Sequence, residues 1–419
     1  MTTPPALSEI TAAVCFASIL LIPCALGGMA LINAGLSRSR AAAHSLFGAL
    51  CVAGTAVLAW CVFGAAFQGY AGRPHYAFSL AGTAWDWLGA ERWFLRGVAF
   101  DASPHSLAVV FGLFAVALAA IIPVGAAAER WRLPAACAST VVFAGIVFPL
   151  FAHWTWGGGW LAQLGFLDTG GAGCIQAVGG LSALAVCRIL GPRQSKFHSD
   201  GIPSAMPAHS AVSVLFGCFL VWLGYLGLNC AGAILFAGAD FGRLTVVPVN
   251  ATLAAAGGLL ASAAITRVRF GKADASISAN AWVAGLAASS AGCAVVRPVA
   301  AAFIGAIAGV LIVFSIEWLE LRFKLDDPAG SISVHTVGGL WGLLAAGLFG
   351  ETRPGQFLVQ LVGVAALAGL ILPLSYGLNR LLNRLRPYRV AAAGERQGID
   401  IYELGAGAYP EFMTHTDDF

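Results

Sequence analysis

The chain has 419 residues, of which 59% are hydrophobic and 10% charged, and its mean hydropathy is +0.82. No water-soluble domain of that length has such a composition; it belongs to a polytopic helical membrane protein. The formal net charge of +3 says little, because the placement of the charges carries the information, and no nucleic-acid partner is expected.

Apolar runs long enough to cross a bilayer lie near 9–33, 41–68, 104–127, 134–153, 170–191, 207–234, 247–266, 277–294, 298–320, 332–349 and 355–383. The first follows Thr2-Thr3-Pro4-Pro5, holds Glu9 and lacks a basic leader, so it reads as a retained helix. Residues 69–103 form the longest outer loop, and 384–419 a cytoplasmic tail. The 52 glycines suit helices packed backbone to backbone.

Lysine and arginine set the orientation. Seventeen of the 23, among them Arg38, Arg130, Arg193, Arg267 and Arg384, fall on one side. Arg73, Arg92, Arg96, Arg243, Arg297 and Arg353 fall on the other. The positive-inside rule makes the first side cytoplasmic, with the N-terminus out and the C-terminus in. Five spans per half is an odd number, so the second half enters the bilayer upside down. The fold class is therefore an all-α polytopic membrane protein of eleven transmembrane helices, a 5+5 inverted repeat plus one. Residues 1–383 form the membrane domain, with repeats at about 9–191 and 207–349 and the eleventh helix at about 355–383.

Two stretches 159 positions apart share one pattern. The first is Asp168, Gly171, Gln176, Gly179-Gly180-Leu181; the second is Asp327, Gly330, His335, Gly338-Gly339-Leu340. Such a repeat marks a duplicated membrane fold. A helix rises ~1.5 Å per residue, so the eighth position lies roughly 12 Å beyond the Asp. With each Asp at a membrane boundary, Gln176 and His335 fall near the centre of a core about 30 Å thick. Polar side chains at that depth point to a substrate path.

Of eight histidines, only His335 falls deep inside a span. Gln offers an acceptor and two donors, and neutral His one of each, so the pair can order small polar molecules. His exchanges a proton near neutrality; Gln does not. Trp154, Trp156 and Trp160 precede Asp168. They read as interfacial anchors or, with the carboxylate, as a surface that recruits a cation. Asp168 also suits a cap on the fifth helix, and Asp327 a cap on the tenth. Glu129-Arg130 and the other cytoplasmic basic residues read as topology determinants. The ten cysteines lie in or beside the spans without paired or CxxC spacing and read as packing residues, not as disulfides or metal ligands. No Walker loop, dinucleotide fingerprint, HExxH or GxSxG motif is present, so neither an enzyme nor a cofactor is expected.

These residues resemble the ammonium transporters, the Amt/Mep/Rh family, over nearly the whole chain. The resemblance rests on Gly27-Gly28-Met29-Ala30-Leu31-Ile32-Asn33-Ala34-Gly35-Leu36-Ser37-Arg38, on Gly125-Ala126-Ala127-Ala128-Glu129-Arg130, and on Ala152-His153-Trp154-Thr155-Trp156-Gly157-Gly158-Gly159 through Leu181. Gly227-Leu228-Asn229, Asp326-Asp327-Pro328 through Trp341-Gly342, Gly398-Ile399-Asp400 and Ala408-Tyr409-Pro410-Glu411-Phe412 extend it. It implies a homotrimer with one narrow path per subunit and an outer recruitment site at Trp156 and Phe111. It implies two stacked aromatic gates, Phe111 being one, and a pair of midplane histidines. It also implies a tail docked on cytoplasmic loops and open to a PII-type regulatory protein. Three positions depart from the pattern. Gln176 stands for the first histidine, Leu228 for the second gate aromatic, and Gly232 falls near the recruitment serine.

The leading reading is an ammonium/ammonia transporter of the inner (plasma) membrane. The alternative is an ammonium receptor with little conduction, and a third reading is a neutral small-molecule channel. The tail begins with Arg384, Arg386 and Arg389, which are expected to hold it against anionic lipid headgroups.

Overall fold

The computed structural model describes residues 7–69, 76–80, 82–90 and 93–409. Thr2-Thr3-Pro4-Pro5, Arg73, Arg92, Pro410-Glu411-Phe412 and Asp417-Asp418 lie outside them. In chain order the main helices are α1 (Glu9–Leu36), α2 (Ser39–Gln68), α3 (Pro104–Ala126), α4 (Leu133–Gln163), α5 (Ala172–Leu190), α6 (Ala211–Ala237), α7 (Phe241–Phe270), α8 (Ala275–Ser289), α9 (Pro298–Phe323), α10 (Ile332–Phe349) and α11 (Gln356–Leu385). Among the described residues, ten of these are long and apolar enough to cross a membrane. The exception is α8. A span is expected over 277–294, but the helix stops at Ser289, and its 15 residues rise only ~22 Å against a core of about 30 Å. A two-stranded antiparallel hairpin, Ala77–Leu80 with Thr83–Asp86, lies between α2 and α3.

Local sequence accounts for the bends. α4 and α11 each widen into a π turn, Phe143–Val147 and Leu367–Ile371, just before Pro149 and Pro373. Proline lacks an N–H and its ring crowds the carbonyl four residues back; the wider turn absorbs both. Glycine permits a close contact between α1 and α6. A Cβ on Gly28 would lie 2.5 Å from the Gly217 carbonyl oxygen, and one on Gly217 would lie 2.6 Å from that of Gly28. The two backbones touch there, as small residues allow in membranes.

Burial ranks the helices. The most apolar stretch is 83% buried in α3 and α5, 67% in α4 and 61% in α10, against 28% in α11. The first four therefore surround the centre, and α11 keeps most of its surface outward.

A buried ion network closes the basic side. Arg193 donates from Nε and Nη2 to the two carboxylate oxygens of Asp326, each at 2.9 Å, and its backbone N–H adds a third bond at 2.8 Å. Arg193 also pairs with Glu129, and Glu129 with Arg38. Arg130 is wholly buried and donates to the carbonyls of Asp326 at 2.6 Å and Gly191 at 2.8 Å. Glu129 and Arg130 are thus structural cross-links between α1, α3, the end of α5 and the α9–α10 connection. From the sequence they read as orientation signals only, because nothing local shows four distant segments converging. Burial alone would raise the Asp326 pKa, but the hydrogen bonds and charge of Arg193, with the charge of Arg130, hold it at about 2. Burial opposes the Arg193 charge, yet Asp326 and Glu129 raise its pKa above the usual value.

The segment after α11 lies across this same side. Asp400 accepts from the backbone N–H groups of Ala43 at 3.1 Å and His44 at 2.7 Å, at the start of α2. Glu403 accepts from Leu133 N–H at 2.9 Å and meets His44 Nε2 at 2.9 Å. Arg389 is taken up by Glu395 at 2.8 Å and by the Leu190 carbonyl at 3.0 Å, so it faces protein, not lipid; Arg384 and Arg386 remain exposed.

Asp326→Asn removes a charge that faces two buried arginines, and breaking such a pair from one side costs about 3–5 kcal/mol. The purified variant should melt at a lower temperature than wild type at pH 7. Asp326 has a lower pKa folded than unfolded, so its contribution is complete above about pH 4. It fades as pH falls toward about 2. The gap in melting temperature should narrow over the same range.

Candidate functional site

The two copies of the repeat build the centre in the same way. The Asp168 carboxylate accepts from Gly173 N–H at 3.0 Å and Cys174 N–H at 2.8 Å. Asp327 accepts from Ser331 N–H at 3.0 Å and Ile332 N–H at 2.7 Å. Both carboxylates thereby satisfy first-turn donors that a helix leaves unpaired. Gly171 and Gly330 follow at φ 85° and 68°, a backbone that excludes most side chains. Each helix then opens as a π turn, Ala172–Ala177 and Ile332–Val337, which carries Gln176 or His335.

The turns cross each other. A Cβ on Gly180 would lie 2.5 Å from Thr336 N, and one on Gly339 would lie 2.5 Å from Ala172 O. Each repeat's glycine admits the other repeat's polar turn. At the crossing His335 Nδ1 lies 2.7 Å from Gln176 Oε1, with Gln176 0% and His335 4% exposed. A carboxamide oxygen only accepts, so Nδ1 carries the hydrogen, and in the neutral ring Nε2 keeps a lone pair. Gln176 Nε2 and the Tyr225 hydroxyl are buried without a full hydrogen bond, and the hydroxyl approaches Gln176. Ser333 and Thr336 also bury unpartnered hydroxyls. Ser333 lines a cavity of about 110 Å³ with Asp326, Asp327 and Arg193. The centre is therefore polar and neutral, with spare donors and acceptors.

The end at Asp168 is aromatic. Trp156 Nε1–H donates to the Asp168 carbonyl at 2.7 Å, which fixes the indole. Phe111 meets it edge-on at 5.4 Å, and Phe236 stacks on it at 4.8 Å and 7°. Trp154 and Trp160 belong instead to a separate cluster with Trp85 and Trp87. The Asp168 side chain turns inward to its helix, so of the three tryptophans and the carboxylate only Trp156 reaches this cluster. Leu228 is wholly buried on α6. A Cβ on Gly232 would overlap the Thr169 carbonyl, so that position has no room for a side chain. Among the described residues, no group of three side chains fit to hold a metal is gathered.

Sequence reasoning missed Tyr225 and Phe236. The available signal was helical spacing: Leu228, Gly232 and Phe236 recur every fourth residue on α6, and Tyr225 lies three before Leu228.

The profile of the Ammonium Transporter Family matches residues 12–409. The chain belongs to that family. It is 34% identical to the ammonium transporter Amt2 of Archaeoglobus fulgidus, over 92% of this chain and 85% of that one. It is 29% identical to the ammonium transporter of Bacillus subtilis, over 92% and 95%. A solved structure named Sensor Amt Protein superposes with a TM-score of 0.86 at 26% identity, over 94% and 98%. Candida albicans Mep2 superposes at 0.83 and 23% identity, over 99% and 93%, a likeness of fold alone.

Gly180→Val would force a Cβ and two methyl groups into the crossing. Overpacking of this kind costs about 1–3 kcal/mol. The variant should melt earlier in detergent, whereas Gly54→Val, where a Cβ meets nothing within 4 Å, should not.

Proposed function

We propose that this member of the ammonium transporter family conducts ammonium/ammonia along the line that runs from Trp156 past Leu228 to Gln176 and His335. The observation that carries the reading is the Gln176–His335 hydrogen bond, buried where the two repeats cross. Trp156 and Phe111 recruit the cation through their rings, at ~1–2 kcal/mol for a partly desolvated ion. Leu228 narrows the path in place of an aromatic gate. A bare ion at the bilayer centre costs at least ~2.5–3.5 kcal/mol, so the species that passes the centre is neutral ammonia. One N–H bond of ammonium breaks as His335 Nε2 takes that proton and passes it on, and the ammonia left behind donates a hydrogen bond to Nε2 once it is free again. Gln176 holds the ring through Nδ1 and carries no charge itself.

The remaining organisation follows the same reading. The chain has eleven transmembrane helices, with α8 the short eighth, the N-terminus outside and the C-terminus inside the plasma membrane. It assembles as a homotrimer with one path per subunit. The partition of lysine and arginine, and the basic side closed by Arg193 and Arg130, support this topology. The docked tail supports regulation by a PII-type protein. Deleting 390–419 should lower uptake by a well-expressed trimer; unaltered uptake would remove the regulatory role.

Two observations favour a receptor as the second reading: the ring stack over Trp156 is closed, and Gln176 cannot titrate. Liposomes holding the purified protein separate the two. An ammonium gradient should drive a current and a change of lumenal pH in wild type. His335→Ala should impair conduction or selectivity more than Gln176→Ala, and Gln176→His should change the pH dependence. Binding of ammonium without flux in wild type and in Gln176→His would make the receptor the better reading.

A further inference from the structure

The ring cluster at Trp156 has a third member beside the Trp156 and Phe111 that the resemblance implies. Phe236 sits in the last turn of α6, two residues before Gly238, whose left-handed backbone at φ 62° ends the helix. Its ring lies parallel to Trp156 at 4.8 Å, and Phe111 abuts it edge-on at 5.3 Å. Stacked rings this close are in van der Waals contact, and no ion fits between them. Trp156 cannot offer that face by turning, because Nε1–H is held by the Asp168 carbonyl. Phe111 is 0% and Trp156 8% exposed, whereas Phe236 is half-buried. Of the three rings, Phe236 is the most exposed.

We propose that Phe236 is a specificity-determining residue of the outer site, occupying the Trp156 face and yielding it only to a weakly hydrated cation of the ammonium class. This rests on the reading of Trp156 as the recruitment residue. Ring stacking and cation–π attraction are of similar strength, so the exchange is finely balanced. A neutral molecule has no charge for the ring quadrupole and does not displace Phe236. A strongly hydrated cation such as sodium must give up water for ring faces that offer no lone pair, and it fails for that reason. Ammonium, with a diffuse charge and weaker hydration, passes. The same ring that blocks the site thus filters what enters it.

Isothermal titration of ammonium into the purified full chain tests this, with potassium and sodium as competitors. Phe236→Leu keeps apolar bulk but cannot stack; Phe236→Trp stacks more strongly. Potassium, hydrated about as weakly as ammonium, should compete in wild type; the leucine variant should bind ammonium roughly three- to tenfold more tightly and lose part of its discrimination against sodium. The tryptophan variant should bind more weakly than wild type. Neither change should alter binding further in a Trp156→Ala background. A packing role would shift both variants the same way, so Kd values that move together, or not at all, while Trp156→Ala weakens binding, would overturn the role of Phe236 and leave the recruitment reading intact. Unchanged binding in Trp156→Ala would overturn the recruitment reading, and the proposal with it.

Discussion

The structure turns on one buried hydrogen bond, from His335 Nδ1–H to Gln176 Oε1 at 2.7 Å. An unpaired polar side chain at that depth is costly, so each partner needs the other. Their meeting constrains much of the surrounding backbone. Two helices must cross in contact, which only Gly180 and Gly339 permit. Both helices must begin just before the crossing, so each has an aspartate cap and a left-handed glycine ahead of it. Each must also widen at the crossing, and the π turns carry the two polar residues there.

Charge is kept to the margins of this arrangement. Arg38, Glu129, Arg130, Arg193 and Asp326 join into one network on the basic side, where burial is offset by close pairing. The two carboxylates nearest the centre, Asp168 and Asp327, point at backbone N–H groups. What remains along the middle is neutral: a carboxamide, an imidazole, and the hydroxyls of Tyr225, Ser333 and Thr336. Such a lining recognises a molecule by hydrogen-bond count and size. In the proposed path, discrimination by charge is left to the ring faces where Trp156, Phe111 and Phe236 meet.

The repeat was legible because a few residue types recur at fixed offsets, and polar residues stand out in an apolar span. Gln176 and His335 could be paired on that ground before any coordinates. Phe236 and Tyr225 are hard to read, because α6 is apolar all round and only their helical spacing from Leu228 marks the face that looks inward. The ion network was hidden for another reason: residues 38, 129, 193 and 326 come together only through the fold. The end of α8 was misjudged because 290–294, Ser-Ala-Gly-Cys-Ala, is apolar enough to continue a span yet leaves the helix at Ser290. The basic opening of the tail suggested lipid, but Arg389 finds Glu395 at closer range.

The central claim is that Gln176 fixes His335 as the neutral tautomer with hydrogen on Nδ1. Solid-state NMR of protein in lipid bilayers, with nitrogen-15 in its histidine and glutamine side chains, reads this directly. His335 should show a protonated Nδ1, an unprotonated Nε2 and a through-space contact to the Gln176 carboxamide. A ring protonated on Nε2, a charged ring at neutral pH, or no contact with Gln176 would contradict the account.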